Sequence, residues 1–222
     1  MNIKKQLGIW LLLLVALTSQ ASSTNSTVTY SGPTLAIPDE NPVGLSSTLN
    51  VSGMVGPTIS ITVALNITGG FNGDLYAYLL SPQGTMVVLL NRIGMGSANY
   101  FGSSDAGFNI TFDSAAASNV HDGLSVGGGQ LTGAWLADSR AIDPLSSPGA
   151  FDASPLGNTL LNLDGTSPNG AWTLFIADLS GGGDSTLVSW GLTVVTVPEP
   201  QTWTLLGGSL AAFWLMNRNR RK

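Results

Sequence analysis

Residues 58–67 read TISITVALNI. Ile59, Ile61, Val63, Leu65 and Ile67 alternate with Thr58, Ser60, Thr62, Ala64 and Asn66. Successive side chains of a strand point to opposite faces, so a strict period of two predicts a strand with one face in a core. A helix would need apolar residues three and four apart.

The same pattern recurs on both sides. Leu75 to Leu80 (LYAYLL) follows Gly73-Asp74, and Thr85 to Asn91 (TMVVLLN) follows Ser81-Pro82-Gln83-Gly84. Proline at the second position of that tetrad predicts a turn, and so a hairpin. Phe108, Ile110 and Phe112 alternate in FNITF. Trp172, Leu174 and Ile176 share one face of AWTLFIA, and Val188, Trp190, Leu192 and Val194 one face of TLVSWGLTVVT. SGGGD, Ser180 to Asp184, is the turn between them. No stretch shows comparable helical periodicity. Many short strands with turn residues between them predict an all-β sandwich.

Composition agrees. The 222 residues include 28 glycines and 11 prolines, and only 9% are charged. Cysteine is absent, which excludes disulfides, thiolate metal sites and cysteine nucleophiles. Between Ser22 and Val197 twelve acidic residues face two arginines, Arg92 and Arg140, a net charge of about −10. Such a surface repels phosphate backbones, so nucleic acid is not an expected partner.

The ends differ from the middle. MNIKKQLGIWLLLLVALTSQA has a basic start at Lys4 and Lys5, an apolar core from Leu7 to Leu17 and small residues at Ser19 and Ala21. This predicts a signal peptide over 1–21, export from the cytoplasm, and a polar linker over 22–34. Near the other end stand Pro198-Glu199-Pro200, an uncharged run over 202–216, and Arg218, Arg220, Arg221 and Lys222. As a helix the run spans about 22 Å at ~1.5 Å per residue, short of the ~30 Å apolar bilayer core. That predicts a transient transmembrane helix whose basic tail stays cytoplasmic.

The order of triplet, span and basic cluster closely resembles a PEP-CTERM sorting signal over 197–222. The resemblance implies an exosortase partner that cleaves near Pro198-Glu199-Pro200, a passing stay in the inner membrane, and delivery to the cell surface or matrix of a biofilm-forming bacterium.

The middle also resembles a family. IPDENPVGLSSTLNVSG (Ile37 to Gly53), GDLYAYLLSPQGTMVVLLNRIG (Gly73 to Gly94) and NGAWTLFIADLSGGGDSTLVSWGLTV (Asn169 to Val194) are similar to the P domain, or P/Homo B domain, of proprotein convertases. The resemblance covers about Leu35 to Val195, within a domain expected over 35–196, and implies a jelly-roll β-sandwich. In kexin- and furin-like subtilases this module follows the catalytic domain. Ser114 to Pro155 is longer and looser than the family pattern.

Catalytic residues are not expected. His121 is the single histidine, in the Gly-rich HDGLSVGGGQ. Ser125 could complete a triad with it, but no nucleophile elbow or oxyanion motif accompanies the pair, and His121 reads as a solvated loop residue. A lone histidine without cysteine argues against zinc. Calcium suits acidic oxygens, and some bacterial relatives carry it; Asp39, Asp113 and Asp178 are the candidate ligands, with turn capping as the other reading. Asn25, Asn50, Asn66 and Asn109 each begin an Asn-x-Ser/Thr triplet, as chance supplies in a chain this rich in those residues.

Three functions follow: a non-catalytic surface or matrix protein, an accessory module serving a subtilisin-like protease in trans, and a carbohydrate-binding sandwich for exopolysaccharide. For the last, Tyr76, Tyr78 or Tyr100 would stack on sugar rings, or else pack within the sandwich.

Overall fold

In a computed structural model of the chain, the described residues are 24–29, 34–125, 127–197, 214, 217 and 218. Ten strands account for the domain: β1 (Thr24–Thr29), β2 (Leu35–Ile37), β3 (Asn41–Val51), β4 (Thr58–Gly69), β5 (Leu75–Leu80), β6 (Met86–Asn91), β7 (Gly107–Phe112), β8 (Leu131–Trp135), β9 (Gly170–Asp178) and β10 (Ser185–Thr196). Among the described residues from 24 to 197, helix is confined to short turns, of which Asn72–Asp74 and Val120–Asp122 matter below. The expectation of an all-β sandwich holds.

One sheet runs β1-β10-β4-β7-β8, with β2 also on β10; the other runs β3-β9-β5-β6. Pairing is antiparallel except for β7 with β8. The chain passes from one sheet to the other between β2 and β3, β3 and β4, β4 and β5, β6 and β7, β8 and β9, and β9 and β10.

Alternation explains the core. Ile61, Val63, Leu65 and Ile67 of β4 are buried with Phe108 and Phe112 of β7 and with Leu192 and Val194 of β10. Trp172, Leu174 and Ile176 of β9 and Leu75, Ala77 and Leu79 of β5 face them in the same cluster. Each large side chain so enclosed contributes about 1.5–3 kcal/mol. Trp190 Nε1 donates across the sandwich to Ser47 Oγ at 2.8 Å, and Trp172 Nε1 donates to the Pro168 carbonyl at 2.8 Å.

Two bulges break the predicted phase. Val195 pairs with Ser60 but Thr196 pairs with Thr58, so Ile59 is an extra residue and turns outward, 48% exposed. Leu187 pairs with Ile67 but Ser189 pairs with Asn66. Val188 is then the extra residue, and Leu187 takes the buried position expected of it. The hairpin turn is as read: Gly84 N–H donates to the Ser81 carbonyl at 3.0 Å, with Gly84 at φ +84°.

The predicted linker over 22–34 is not wholly a linker, since Thr24–Thr29 pairs along the free edge of β10. The β-branched Thr24, Thr27, Val28 and Thr29 suit a strand. The loose stretch after Ser114 contains β8 and a helical turn, Pro148–Phe151.

The signal peptide, the 202–216 span apart from Trp214, Pro198, Glu199, Pro200, Arg220, Arg221 and Lys222 lie outside the described residues. Among the described residues no helix is long and apolar enough to cross a membrane. Arg218 places its guanidinium 5.5 Å from the Trp214 ring centroid, a cation–π distance.

Candidate functional site

Two polar clusters lie within the domain. The first is at the end of the sandwich where β9 stops and β10 starts. Asp74 closes the turn after β4, and its Oδ1 stands 3.5 Å from Arg92 Nη2. Arg92 also donates through Nε to the Gly73 carbonyl at 3.0 Å and through Nη2 to Ser180 Oγ at 2.8 Å. Asp74 serves as the counter-ion of this half-buried arginine. Asp178 ends β9, enclosed at 1% exposure, and accepts from Ser180 N–H at 3.4 Å and Ser185 Oγ at 3.3 Å. Glu40 and Arg92 hold left-handed backbone at φ 49° and 50°, an unusual state for residues with a Cβ.

Burial dominates the ionisation here. It lifts the Asp178 carboxyl from 3.8 to about 6; the charges of Asp74 and Asp39 add to the rise, and the Ser180 and Ser185 hydrogen bonds oppose it. Asp74 is raised for the same reason, with Arg92 pulling the other way. Arg92 is lowered by burial, and Asp74 and Asp178 counter that.

Of the three candidate calcium ligands, the fold brings together two. Asp39 lies at this end, where its Oδ2 accepts from Gly182 N–H at 3.4 Å. Asp113 follows β7 toward the opposite end, and its Oδ1 caps Ala115 N–H at 2.8 Å. Among the described residues no three His, Asp or Glu side chains stand where one ion could join them. The Arg92 guanidinium already serves as cation beside Asp74. The residues present do not fit a calcium ion shared by Asp39, Asp113 and Asp178, and the turn-capping reading describes Asp113.

The second cluster was missed from sequence. His121 is buried, not solvated, at 6% exposure. It sits in the turn Val120–Asp122, whose start is fixed by Asn119: Oδ1 accepts from His121 N–H at 2.8 Å, and Nδ2 donates to the carbonyls of Ala137 and Asp138 at 2.9 and 3.3 Å. This clamp aligns His121 Nδ1 with Asp138 Oδ2 at 2.8 Å. The other oxygen of the fully buried Asp138 meets Arg140 Nη1 at 3.2 Å. His121 and Arg140 line a pocket of about 410 Å³ with Met95, Leu124, Phe151 and Asp152.

A histidine oriented by a buried aspartate is half of a hydrolytic triad. Among the described residues no serine or threonine hydroxyl hydrogen-bonds to the ring. His121 Nε2 faces the Met95 carbonyl oxygen at 3.0 Å, where a nucleophile's hydroxyl would have to be. Ser125 donates its backbone N–H to Asp105 at 2.6 Å, and its buried hydroxyl makes no hydrogen bond. Three partners and no open ring nitrogen make this a structural tie between the loop after β6 and the segment after β8. Only pairing with a distant Asp138 could have revealed it, because nothing local marks residue 121 as buried.

Of the three tyrosines considered for sugar stacking, Tyr76 and Tyr78 point away from the core but pack on Phe175. The Tyr78 and Phe175 rings stack at 4.8 Å and 16°, and Tyr76 meets Phe175 edge-on at 6.3 Å. Tyr100 remains exposed.

The model of the proprotein convertase P-domain family matches residues 59–128, from β4 to the Gly-rich loop, within the stretch of the resemblance noted above. No curated protein matches the chain. Among solved structures, the serine protease of Aeromonas sobria, alone and in complex with its chaperone ORF2, aligns at 16% identity and a TM-score of 0.41. The alignment covers 80% of this chain and 27% of the protease.

Proposed function

We propose that this chain is an exported, non-catalytic surface or matrix protein built on a P-type, jelly-roll β-sandwich. The observation that carries the non-catalytic reading is the Met95 carbonyl on His121 Nε2, which takes the position a nucleophile needs. The strand orders β2-β10-β4-β7 and β3-β9-β5-β6, and the family match over 59–128, support the module. Export by a signal peptide, exosortase processing at Pro198-Glu199-Pro200 and delivery to the cell surface rest on the sequence pattern. Replacing those three residues with alanine is expected to leave the protein in the inner-membrane fraction with its tail attached. Equal delivery of variant and parent to the surface overturns the sorting part.

A second reading, favoured by the family match, is an accessory module that serves a subtilisin-like protease in trans. It requires a protease to co-purify with the chain and to melt at higher temperature in its presence. A carbohydrate-binding role for exopolysaccharide has less support, because two of its three rings are engaged with Phe175.

A further inference from the structure

Strand direction gathers the segments 38–40, 70–74, 92–106 and 179–184 at one end of the sandwich, with 123–125 beside them. The domain's own ends, Thr24 and Val197, lie at the other, since Thr24 pairs with Thr196. The twelve residues of β10 separate the two by roughly 36 Å at ~3.3 Å per residue.

At the remote end, large apolar side chains stand in solvent: Phe101 is 84% exposed, Leu124 70%, Tyr100 63% and Phe71 40%. Their loops abut. A Cβ on Gly183 would stand 3.6 Å from Phe71 Cδ2, and Gly73 has no room for a Cβ against the Phe101 carbonyl. Around them Asp39, Glu40, Asp122 and Asp184 are exposed carboxylates. The cations nearby are engaged within the domain, Arg92 on Asp74 and Ser180, and Arg140, which shares a pocket with Leu124, on the buried Asp138. Grouped apolar exposure marks an interaction surface, and charge of a single sign selects the partner's sign.

We propose that this end docks a partner protein through a segment that sets apolar side chains among lysines and arginines. A second copy of the domain would bring like charges face to face. A neutral glycan would leave the carboxylates unmatched, and an anionic one would be repelled. The surface is independent of both readings of function given above.

A synthetic peptide of alternating Leu and Lys, and its Leu/Glu counterpart, titrated calorimetrically into the full chain, test this. The Leu/Lys peptide binds and the Leu/Glu peptide does not. Affinity falls by about tenfold or more in F71S/F101S and in E40K/D184K, and falls again with added salt. D164K, an exposed carboxylate near the opposite end, leaves affinity unchanged. Equal loss in D164K would reduce the effect to diffuse attraction and overturn the proposal. So would unchanged affinity in E40K/D184K, whose exposed positions leave the core intact if F71S/F101S fails to fold. Self-association abolished by F101S, or binding of a neutral polysaccharide there, would assign the end to another occupant.

Discussion

Asp178 carries a charge that the fold works against. With its carboxyl raised to about 6 from 3.8, the folded chain binds more protons than the unfolded one between those values. Its contribution to stability is therefore full below about pH 4 and is lost as pH rises through about 6. Asp178→Asn keeps an acceptor oxygen for Ser180 N–H, turns an amide N–H toward Ser185 Oγ, and removes the charge. The variant is expected to melt at or above the parent at pH 7.5 and to show no gain at pH 4, read by thermal denaturation across that range. His121 is the opposite case, a polar group the fold depends on. His121→Ala strips a partner from a fully buried carboxylate and is expected to cost about 2–4 kcal/mol. In a double-mutant cycle, denaturant unfolding of H121A, D138A and the pair should show strong non-additivity; additive losses would mean that the ring and the carboxylate do not act together.

At the scale of elements, the sheets were legible and their irregularities were not. Alternation locates β4, β5, β7, β9 and β10 because a half-buried strand imposes its period on the sequence. The bulges at Ile59 and Val188 escape that logic. Each is defined by the partner strand's register, which the local sequence does not contain. Ile59→Lys should therefore shift stability by no more than about 0.5 kcal/mol, while Ile61→Lys places a charge in the core and should abolish folding. Equal tolerance in circular dichroism melts would contradict the bulge. The two polar clusters were illegible for a similar reason. His121 and Asp138, and Arg92 and Asp178, meet only once distant segments are paired. The three aspartates chosen from sequence were separated by the same topology, which sends Asp113 along β7 away from Asp39 and Asp178.

At the scale of the whole molecule, the fold keeps both domain ends on one side and gathers acidic, apolar loops on the other. Among the described residues, Asp74 is matched with Arg92 and Asp138 with His121 and Arg140, Asp105 and Asp178 are held by serine hydroxyls and backbone N–H groups, and the histidine is held on both nitrogens. On the non-catalytic reading proposed above, His121 stays held by Asp138 and Met95 and does not act on a peptide. Long incubation of the full chain and of His121→Ala with a broad peptide library, followed by mass spectrometry of the products, tests this most directly. The account predicts fragment patterns for both proteins that match the library alone; cleavage by the parent that disappears in His121→Ala would contradict it.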